Sequence, residues 1–585
     1  MTVGTRCAFG DRLPLPRGVR VFYLNRSHVR VRLGLVVFAT SALSGALLGP
    51  PAQAAPPGGS ASAVAAPTIS WTACRDGFQC AVVPAPLDYG QPPGAKVGIS
   101  VIRLPAARPS QRIGSIMINP GGPGGSGVDV VRGIGKILPL DIRARFDIVG
   151  FDPRGTNRSA PLRCFNTLNE AFAVLPPFPY PDTPREEQIQ RVSDDNLSAA
   201  CARHGGAILN HMSTADVARD MDLLRAAFGD QKLTYLGFSY GSVLGETYAN
   251  LFPSRVRALV IDGVLDPIAW TTGHGQDART TPIGTRVASA DGSARTLGEF
   301  FRLCDAAGPN CAFSGNASGR YAQLGERLRG HPVAITDPSS GQQTPFSYNE
   351  LIATTVGALY SPFAWPDLGA FLADLGQQLA PTALGQRMAA IRTKLGLAAA
   401  PQEQYPNFIE SVPGVGCSDS INPRDFSTWL SAADRAEAKY GRFGRTWNWG
   451  LSQCRSWPTT AGQDRYLGPW TARTASPVLV VGNFFDPATP YSGAVTASRL
   501  LPNSRLLSYA GWGHTAYFGA GNFCVDSAVT RYLVTVQLPA AGTVCQPEDS
   551  PFDPTQAAAR AAAAGAAALQ ATAVPLAVRL ALHAR

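Results

Sequence analysis

The strongest constraint on the fold is a stretch in which a strand-like run passes through a glycine turn into a helix-like run. Leu233-Thr-Tyr-Leu236 is apolar and leads into Gly237-Phe-Ser-Tyr-Gly241, after which Val243 to Leu251 continues in a helical pattern. The turn fits G-x-S-x-G, a pattern that places a serine on a sharp strand-to-helix bend. A chain with 60 glycines also matches this pattern by chance, so Ser239 needs partners elsewhere to be a nucleophile.

Neighbouring segments repeat the alternation of strand and helix patterns. The apolar run Ile113–Ile118 ends in the glycine-rich segment 119–127, and Phe146–Phe151 ends in Asp152-Pro-Arg-Gly155. Ser213 to Phe228 is helical, and Val256 to Ile261 is the next strand-like run. This alternation predicts an α/β fold with a mostly parallel sheet covered on both faces. In such sheets ligands bind at the carboxyl ends of the strands, where these loops lie.

The pattern changes after Asp266-Pro267, where about 200 residues become helical before strand-like runs return at 477–482 and 504–509. We therefore expect a large helical cap inserted between two halves of one core. The alanine-rich tail would be either a marginal helix or disordered. The predicted order is a flexible lead at 55–68, the core at 69–267, the cap at 268–472, the rest of the core at 473–546 and the tail at 547–585.

The first 54 residues have the features of an export signal. Arg26, Arg30 and Arg32 precede an apolar run at 33–49, and Ala52-Gln-Ala54 follows as a small-x-small cleavage site. A membrane anchor is the alternative, but the run is interrupted by Ser, Thr and Gly and is short for a span. We expect cleavage after Ala54, no stable membrane insertion, and an extracellular protein that is either free or associated with the cell wall.

Removal of this segment lowers the formal charge of the chain. The whole sequence carries +10 at pH 7, and residues 1–54 contain seven arginines and one aspartate, which leaves +4 for the mature chain. No basic cluster is interleaved with aromatic residues in the sequence. Nucleic-acid binding therefore has no support.

Ten cysteines follow the export signal, and an even number in that context favours disulfides over metal ligands. They occur along the chain as five neighbouring pairs, and no C-x2-C or paired histidines indicate zinc. Sequence alone leaves the connectivity open. We predict no metal, and the bridges Cys74–Cys80, Cys164–Cys201, Cys304–Cys311, Cys417–Cys454 and Cys524–Cys545.

A serine hydroxyl becomes nucleophilic when a histidine takes its proton and a carboxylate orients that histidine. Among seven histidines, His514 follows the last strand-like run in Gly511-Trp-Gly-His514. Asp486 follows the run before it, in Phe484-Phe-Asp-Pro487. Serine, acid and histidine occur in this order in α/β-hydrolases. We predict that Ser239, Asp486 and His514 form a catalytic triad.

Acyl transfer also needs two backbone N–H groups aimed at the negative oxygen that develops during the reaction. The amide of Tyr240, directly after the serine, is one candidate. Gly122 is the other, because the Gly121-Gly122 pair allows a close backbone approach. A phosphate-binding loop is the alternative for this segment, but the Gly-Lys-Ser/Thr ending of a P-loop is missing.

Five motifs together give a more specific resemblance. They are NPGGPGGSG at 119–127, GFDPRGTNRS at 150–159, LGFSYGS at 236–242, DPATP at 486–490 and GWGH at 511–514. The chain resembles, from about Trp71 to Cys545, the secreted tripeptidyl aminopeptidases and proline iminopeptidases, a group of α/β-hydrolase serine peptidases. The resemblance implies a capped α/β-hydrolase fold, no cofactor, and removal of one or a few residues from peptide N-termini. The group also contains esterases.

An exopeptidase needs a counter-charge for the free amine of its substrate, since a buried unpaired ammonium is costly. The resemblance offers Asp419 for this role, and the alternative is that Asp419 only holds the loop near Cys417. Thr489 either bonds Asp486 or lines the pocket. Glu246 is expected to pack internally or to form a polar tie. Four tryptophans of the cap either line an apolar pocket or pack within the cap: Trp365, Trp429, Trp447 and Trp449.

The sequence thus predicts a secreted serine exopeptidase that releases short peptides, tripeptides among them, or single residues from peptide N-termini through an acyl-enzyme. Peptide substrates are the expected partners, and the sequence gives no indication of oligomeric state. An esterase or lipase with the same triad is the main alternative. A non-catalytic binding protein would leave the triad unexplained. An Asp-nucleophile enzyme such as an epoxide hydrolase is disfavoured because the turn carries serine.

Overall fold

The computed structural model describes residues 64–275, 277–397, 405 and 407–556. The predicted export signal, most of the flexible lead and most of the alanine-rich tail lie outside the described residues. Within the described ranges, no helix combines the length and apolar character that a bilayer crossing needs.

One large sheet organises the described residues. The strands are β1 (Thr72–Cys74), β2 (Phe78–Pro86), β3 (Lys96–Leu104), β4 (Gly114–Asn119), β5 (Phe146–Phe151), β6 (Leu233–Phe238), β7 (Val256–Asp262), β8 (Val333–Thr336), β9 (Gln343–Phe346), β10 (Val478–Phe485), β11 (Ser504–Trp512) and β12 (Val544–Cys545). Ten of them pair in the order β1-β2-β3-β5-β4-β6-β7-β10-β11-β12, while β8 and β9 form a separate hairpin. The strands from β5 to β12 in this order are parallel, and β1, β2 and β3 are antiparallel.

Helices surround the sheet and form most of the segment inserted into it. They are α1 (Gly127–Ile134), α2 (Leu140–Arg145), α3 (Leu168–Ala173), α4 (Pro184–His204), α5 (Thr214–Ala227), α6 (Tyr240–Leu251), α7 (Pro267–Thr271), α8 (Asp277–Thr280), α9 (Ile283–Arg286), α10 (Ser289–Ala307), α11 (Ala317–Gly330), α12 (Tyr348–Leu359), α13 (Trp365–Gly376), α14 (Pro381–Lys394), α15 (Phe408–Asp419), α16 (Phe426–Tyr440), α17 (Arg442–Asn448), α18 (Tyr491–Leu500) and α19 (Phe523–Thr535). Several short 3-10 turns connect them.

The central strands are mostly apolar and buried along their whole length because both faces of the sheet are covered. All six residues of β4, β5 and β6 are buried. Alternate residues face opposite sides, so Ile116 packs in a cluster with α1, α2 and α19, whereas Met117 packs in a cluster with α5, α6 and α18. The predicted mostly parallel α/β sheet is thus present, and the pattern was readable because its strands are buried on both faces.

The segment between β7 and β10 has its own hydrophobic cluster. Phe300, Leu351, Trp365 and Trp429 belong to it, and Trp512 at the end of β11 joins it from the sheet. This segment contains the helices α7 to α17, and the β8–β9 hairpin within it is an element that the sequence did not indicate. The inserted segment is therefore a folded unit packed at the carboxyl ends of the strands, where β11 ends.

Five disulfides link the described cysteines, and each joins two that are neighbours along the chain. Cys164–Cys201 fastens the loop after β5 to α4, and Cys417–Cys454 fastens α15 to the turn after α17. The others are Cys74–Cys80, Cys304–Cys311 and Cys524–Cys545.

Candidate active site

Ser239 occupies a strained bend between β6 and α6. Its φ is 58°, in the left-handed region that a residue with a side chain seldom adopts. Its N–H donates to the backbone oxygen of Asp262, at the end of the neighbouring strand β7, at 2.8 Å. Glycine is required on both sides, because a Cβ on Gly237 would overlap the carbonyl oxygen of Gly241. A Cβ on Gly241 would lie 2.8 Å from the oxygen of Asn119.

The glycine-rich loop after β4 lies directly against this bend. Gly121 has φ +90°, and a Cβ there would come within 2.8 Å of the Ser239 Cβ and 2.9 Å of the Tyr240 nitrogen. Gly122 lines the same cleft as Ser239. Tyr240 is the first residue of α6, so its N–H has no partner within the helix. The two predicted oxyanion donors are therefore brought to the same place as the serine.

Asp486 and His514 form a buried pair at the ends of β10 and β11. Nδ1 of His514 lies 3.0 Å from each carboxylate oxygen of Asp486. The carboxylate also accepts from the amides of Ala488 and Thr489 at 2.8 and 2.9 Å, and from the Thr489 hydroxyl at 2.8 Å. These donors hold the Asp486 carboxylate in position to accept from the imidazole.

The second ring nitrogen of His514, Nε2, is available to accept a proton. This nitrogen is buried and has no hydrogen-bond partner among the described residues. The ring lies next to the serine bend, because Phe238 is paired with Asp262 and a Cβ on the following Gly263 would lie 3.2 Å from His514 Cε1. The bond from the Ser239 hydroxyl to Nε2 is not formed in this structure; such bonds often tighten only when substrate is bound.

Tyr360 of the inserted segment contacts both the backbone and the ring of His514. Its carbonyl oxygen accepts from the backbone N–H of His514 at 2.8 Å, and the two ring centroids are 5.0 Å apart. This contact was not predicted, because nothing in the local sequence around Tyr360 indicates a neighbour more than 150 residues away.

A cleft of about 890 Å³, counted with its open mouth, contains Ser239, Gly122 and Thr489. None of its lining residues carries a charge. The remaining walls are largely apolar and come mainly from the inserted segment: Leu265, Trp270, Ile283, Val287, Val356, Val412, Trp447 and Leu451. The site can therefore hold an extended apolar group with its reacting carbonyl near Ser239.

Asp419 lies behind this wall and does not line the cleft, an arrangement that favours the second of its two predicted roles, support of the loop near Cys417. It is 3% exposed. Its carboxylate accepts from the Thr214 amide at 2.7 Å, from the Thr214 hydroxyl at 2.5 Å, and from Nε1 of Trp270 at 3.1 Å. Burial raises its pKa to about 6. A carboxylate already satisfied by protein donors is a support for Trp270, whose ring does line the cleft.

Some of the other side chains singled out in the sequence line the cleft, and others are packed inside the protein. Thr489 bonds the Asp486 carboxylate and also lines the cleft. Glu246 is buried, and neither of its oxygens has a partner among the described residues, so it forms no polar tie; burial holds its pKa well above the usual range. Trp447 lines the cleft, whereas Trp365, Trp429 and Trp449 are packed in the core of the inserted segment.

One group of side chains outside the cleft has the composition of a metal site. His211, Asp216 and Asp464 offer atoms that lie within 4.8 Å of one another. Protein partners already engage them: His211 Nδ1 lies 2.9 Å from Asp464, and Asp216 accepts from Arg219 and from the Ser213 hydroxyl, each at 3.0 Å. In this structure the three side chains belong to a network of hydrogen bonds and ion pairs.

The chain matches two families. Residues 114–282 match the family described as alpha/beta hydrolase fold, and residues 438–545 match the family described as TAP-like protein. The chain is 31% identical to the serine protease Hip1 of Mycobacterium tuberculosis over 505 residues, which cover 82% of this chain and 91% of the relative.

Two further relatives have other names. Carboxylesterase B of Mycobacterium tuberculosis is 34% identical over 538 residues, covering 88% of this chain and 96% of the relative. Tripeptidyl aminopeptidase of Streptomyces lividans is 31% identical over 510 residues, covering 83% and 87%. With its parallel sheet, its serine on a strand-to-helix bend and relatives that match over most of their length, the chain belongs to the α/β-hydrolase family, among the serine hydrolases with a TAP-like C-terminal region.

Proposed function

We propose that this protein is a secreted serine exopeptidase that releases short peptides or single residues from peptide N-termini through an acyl-enzyme at Ser239. The observation that carries the proposal is the buried Asp486–His514 pair, with an unpartnered Nε2 beside a serine at φ 58°. The similarity to a tripeptidyl aminopeptidase and to a serine protease supports the peptidase activity.

In the proposed mechanism, the Ser239 oxygen attacks the carbonyl carbon of the scissile bond while its proton passes to Nε2 of His514. Asp486 orients the ring through Nδ1 and stabilises the imidazolium. The amides of Tyr240 and Gly122 donate to the carbonyl oxygen as it becomes negative. His514 then gives the proton to the leaving amine, the C–N bond breaks, and a water molecule repeats the sequence on the acyl-enzyme.

The inserted segment supports action on chain ends. We propose that residues 268–472 form a cap between the core segments 69–267 and 473–546, and that this cap admits extended termini and excludes folded proteins. The walls of the cleft come mainly from this segment. Five disulfides suit an oxidising compartment, which supports an extracellular protein released by cleavage after Ala54.

A peptide-library digest analysed by mass spectrometry tests this function. We expect products shortened from the N-terminus by a fixed small number of residues, and no product from the Ser239→Ala variant. A serine-directed phosphonate should label the parent and not that variant. Internal cuts in N-terminally blocked peptides would contradict the exopeptidase proposal while leaving the serine mechanism intact.

An esterase is the second candidate, and the cleft supplies the observation that favours it. None of the lining residues carries a charge that would pair with a substrate amine, and one of the relatives is named carboxylesterase B. Turnover of an aminoacyl amide and of an acyl ester of matched size decides between the two. If only the ester is hydrolysed, the peptidase proposal fails and the triad stands.

A further inference from the structure

Asp262 bonds both the bend at Ser239 and the turn after His514, and it was not among the predicted site residues. It ends β7 and is fully buried. Its backbone oxygen accepts from the Ser239 N–H at 2.8 Å, which fixes the bend from the neighbouring strand.

The side chain of Asp262 holds the turn that follows His514. Its two oxygens accept from the Ala516 amide at 3.0 and 2.9 Å, and one of them accepts from the Tyr517 amide at 2.7 Å. Between these donors and His514, Thr515 has φ +67°, a conformation that is uncommon and unfavourable for a β-branched residue. The turn therefore depends on outside partners to keep this shape.

The carboxylate of Asp262 also interacts electrostatically with the Asp486–His514 pair. The ionisable groups that face it are Asp486 and His514. Burial, with the neighbouring Asp486, raises the pKa of Asp262 to about 7, while the amides of Tyr517 and Ala516 and the charge of His514 oppose this increase. The imidazole is thus influenced by two carboxylates, of which Asp486 bonds it directly.

We propose that Asp262 is a positioning residue for catalysis: its ionised carboxylate fixes the turn after His514, and its charge favours the imidazolium that forms when Ser239 attacks. The inference rests on the roles proposed above for Ser239 and His514. Asp262 thus supports both partners of the proposed proton transfer. Its backbone oxygen fixes Ser239, and its carboxylate fixes the turn after His514.

The test compares Asp262→Asn with Asp526→Asn. Asp526 is the matched control, because its carboxylate also bonds an amide after His514, that of Phe518 at 2.9 Å, and burial also raises its pKa, to about 6. It faces Glu548 and not His514. The readouts are kcat, KM and the pH profile of kcat/KM.

We expect D262N to lower kcat on the order of 10- to 100-fold, as small misplacements of a catalytic group do, with KM little changed. The acidic limb of its profile should move to lower pH. Loss of the negative charge favours the neutral imidazole, so His514 would be protonated only at lower pH. The amide introduced by the substitution cannot be protonated, so inactivation by protonation of this side chain is also absent from the variant. Both effects move the acidic limb to lower pH. D526N should keep the parent profile.

A D262N profile that matches the parent, with a fall in kcat no larger than in D526N, would overturn the proposal. If D262N does not fold, an NMR measurement on the parent protein tests the proposal instead. The labelled imidazole of His514, assigned with His514→Gln, should show an additional NMR titration step near pH 7, and a single step overturns the proposal. Either failure is distinct from failure of the proposed function, which the phosphonate labelling of Ser239 tests separately.

Discussion

The carboxylate of Asp419 accepts a hydrogen bond from Nε1 of Trp270, at 3.1 Å, from behind the wall of the cleft. The same carboxylate bonds Thr214, whose hydroxyl is in turn hydrogen-bonded to the Tyr240 hydroxyl. A buried acid thereby orients one side chain of the cleft and, through Thr214, reaches Tyr240, the residue after Ser239. These contacts favour structural support over contact with substrate.

Asp419→Asn tests this support. The amide retains one acceptor but presents N–H groups where Thr214 and Trp270 donate, so the indole should be less well fixed. We expect KM to rise several-fold for apolar substrates with a smaller change in kcat. The effect should be equal for matched ester substrates with a free and with an acetylated amine. A loss confined to the free-amine substrate would show that Asp419 meets the ammonium after all.

Asp486→Asn tests the proposed orientation of the imidazole. An amide nitrogen facing Nδ1 favours the wrong tautomer of His514, and a comparable substitution in a serine protease lowers kcat about 10⁴-fold. We expect a loss of that order here, with KM and circular dichroism unchanged.

Thr489→Val is a milder change at the same carboxylate. It removes one of the hydrogen bonds to the Asp486 carboxylate and leaves the amide bonds of Ala488 and Thr489 in place. A fall in kcat of about tenfold is expected from one bond to a charged group. If D486N and T489V lose the same small amount of activity, Asp486 is not the acid of the triad.

The sheet could be read from the sequence for a physical reason. Strands buried on both faces are continuous apolar runs, and β4, β5, β6 and β7 stand out for this reason. The strands β2 and β3 do not stand out in the sequence, because they pair antiparallel beside β1 at the edge and carry exposed positions, such as Val82 at 67%.

The contacts that were missed join residues far apart in the chain. Asp262 ends a strand, as Asp486 nearly does, so the rule that singled out Asp486 also applied to it. Only the folded structure shows that the Asp262 carboxylate turns to the amides of Ala516 and Tyr517. For Asp419 the motif left two roles open, because a motif shows which residue is present and not whether other donors already satisfy its carboxylate.

Several buried acids should make the protein less stable as pH rises. Asp194 is an example outside the active site: burial raises its pKa to about 7. Between the ordinary pKa of an aspartate and this value, the folded state binds a proton that the unfolded state does not. The resulting stability is present at low pH and is lost as pH rises to about 7.

Asp194→Asn removes this dependence, since the amide does not ionise and can still accept from Gln190, which donates to Asp194 at 2.9 Å. We expect the decrease in Tm between pH 5 and pH 8 to be smaller in the variant than in the parent. Asp195→Asn, on the same helix and more exposed, is the control and should keep the parent's decrease. An unchanged decrease in D194N would show that Asp194 is ionised throughout this range.

Two glycines offer an opposed pair of stability predictions. A Cβ on Gly237 would overlap the oxygen of Gly241 at the serine bend, whereas a Cβ on Gly298, on the exposed side of α10, meets nothing within 4 Å. Gly237→Ala should lower the free energy of unfolding by about 1–3 kcal/mol, the typical cost of overpacking, and abolish activity. Gly298→Ala should raise that free energy by about 0.5–1 kcal/mol and leave activity unchanged. Urea unfolding and kcat measure both, and a G237A protein with parental activity would contradict the tight bend on which the position of Ser239 depends.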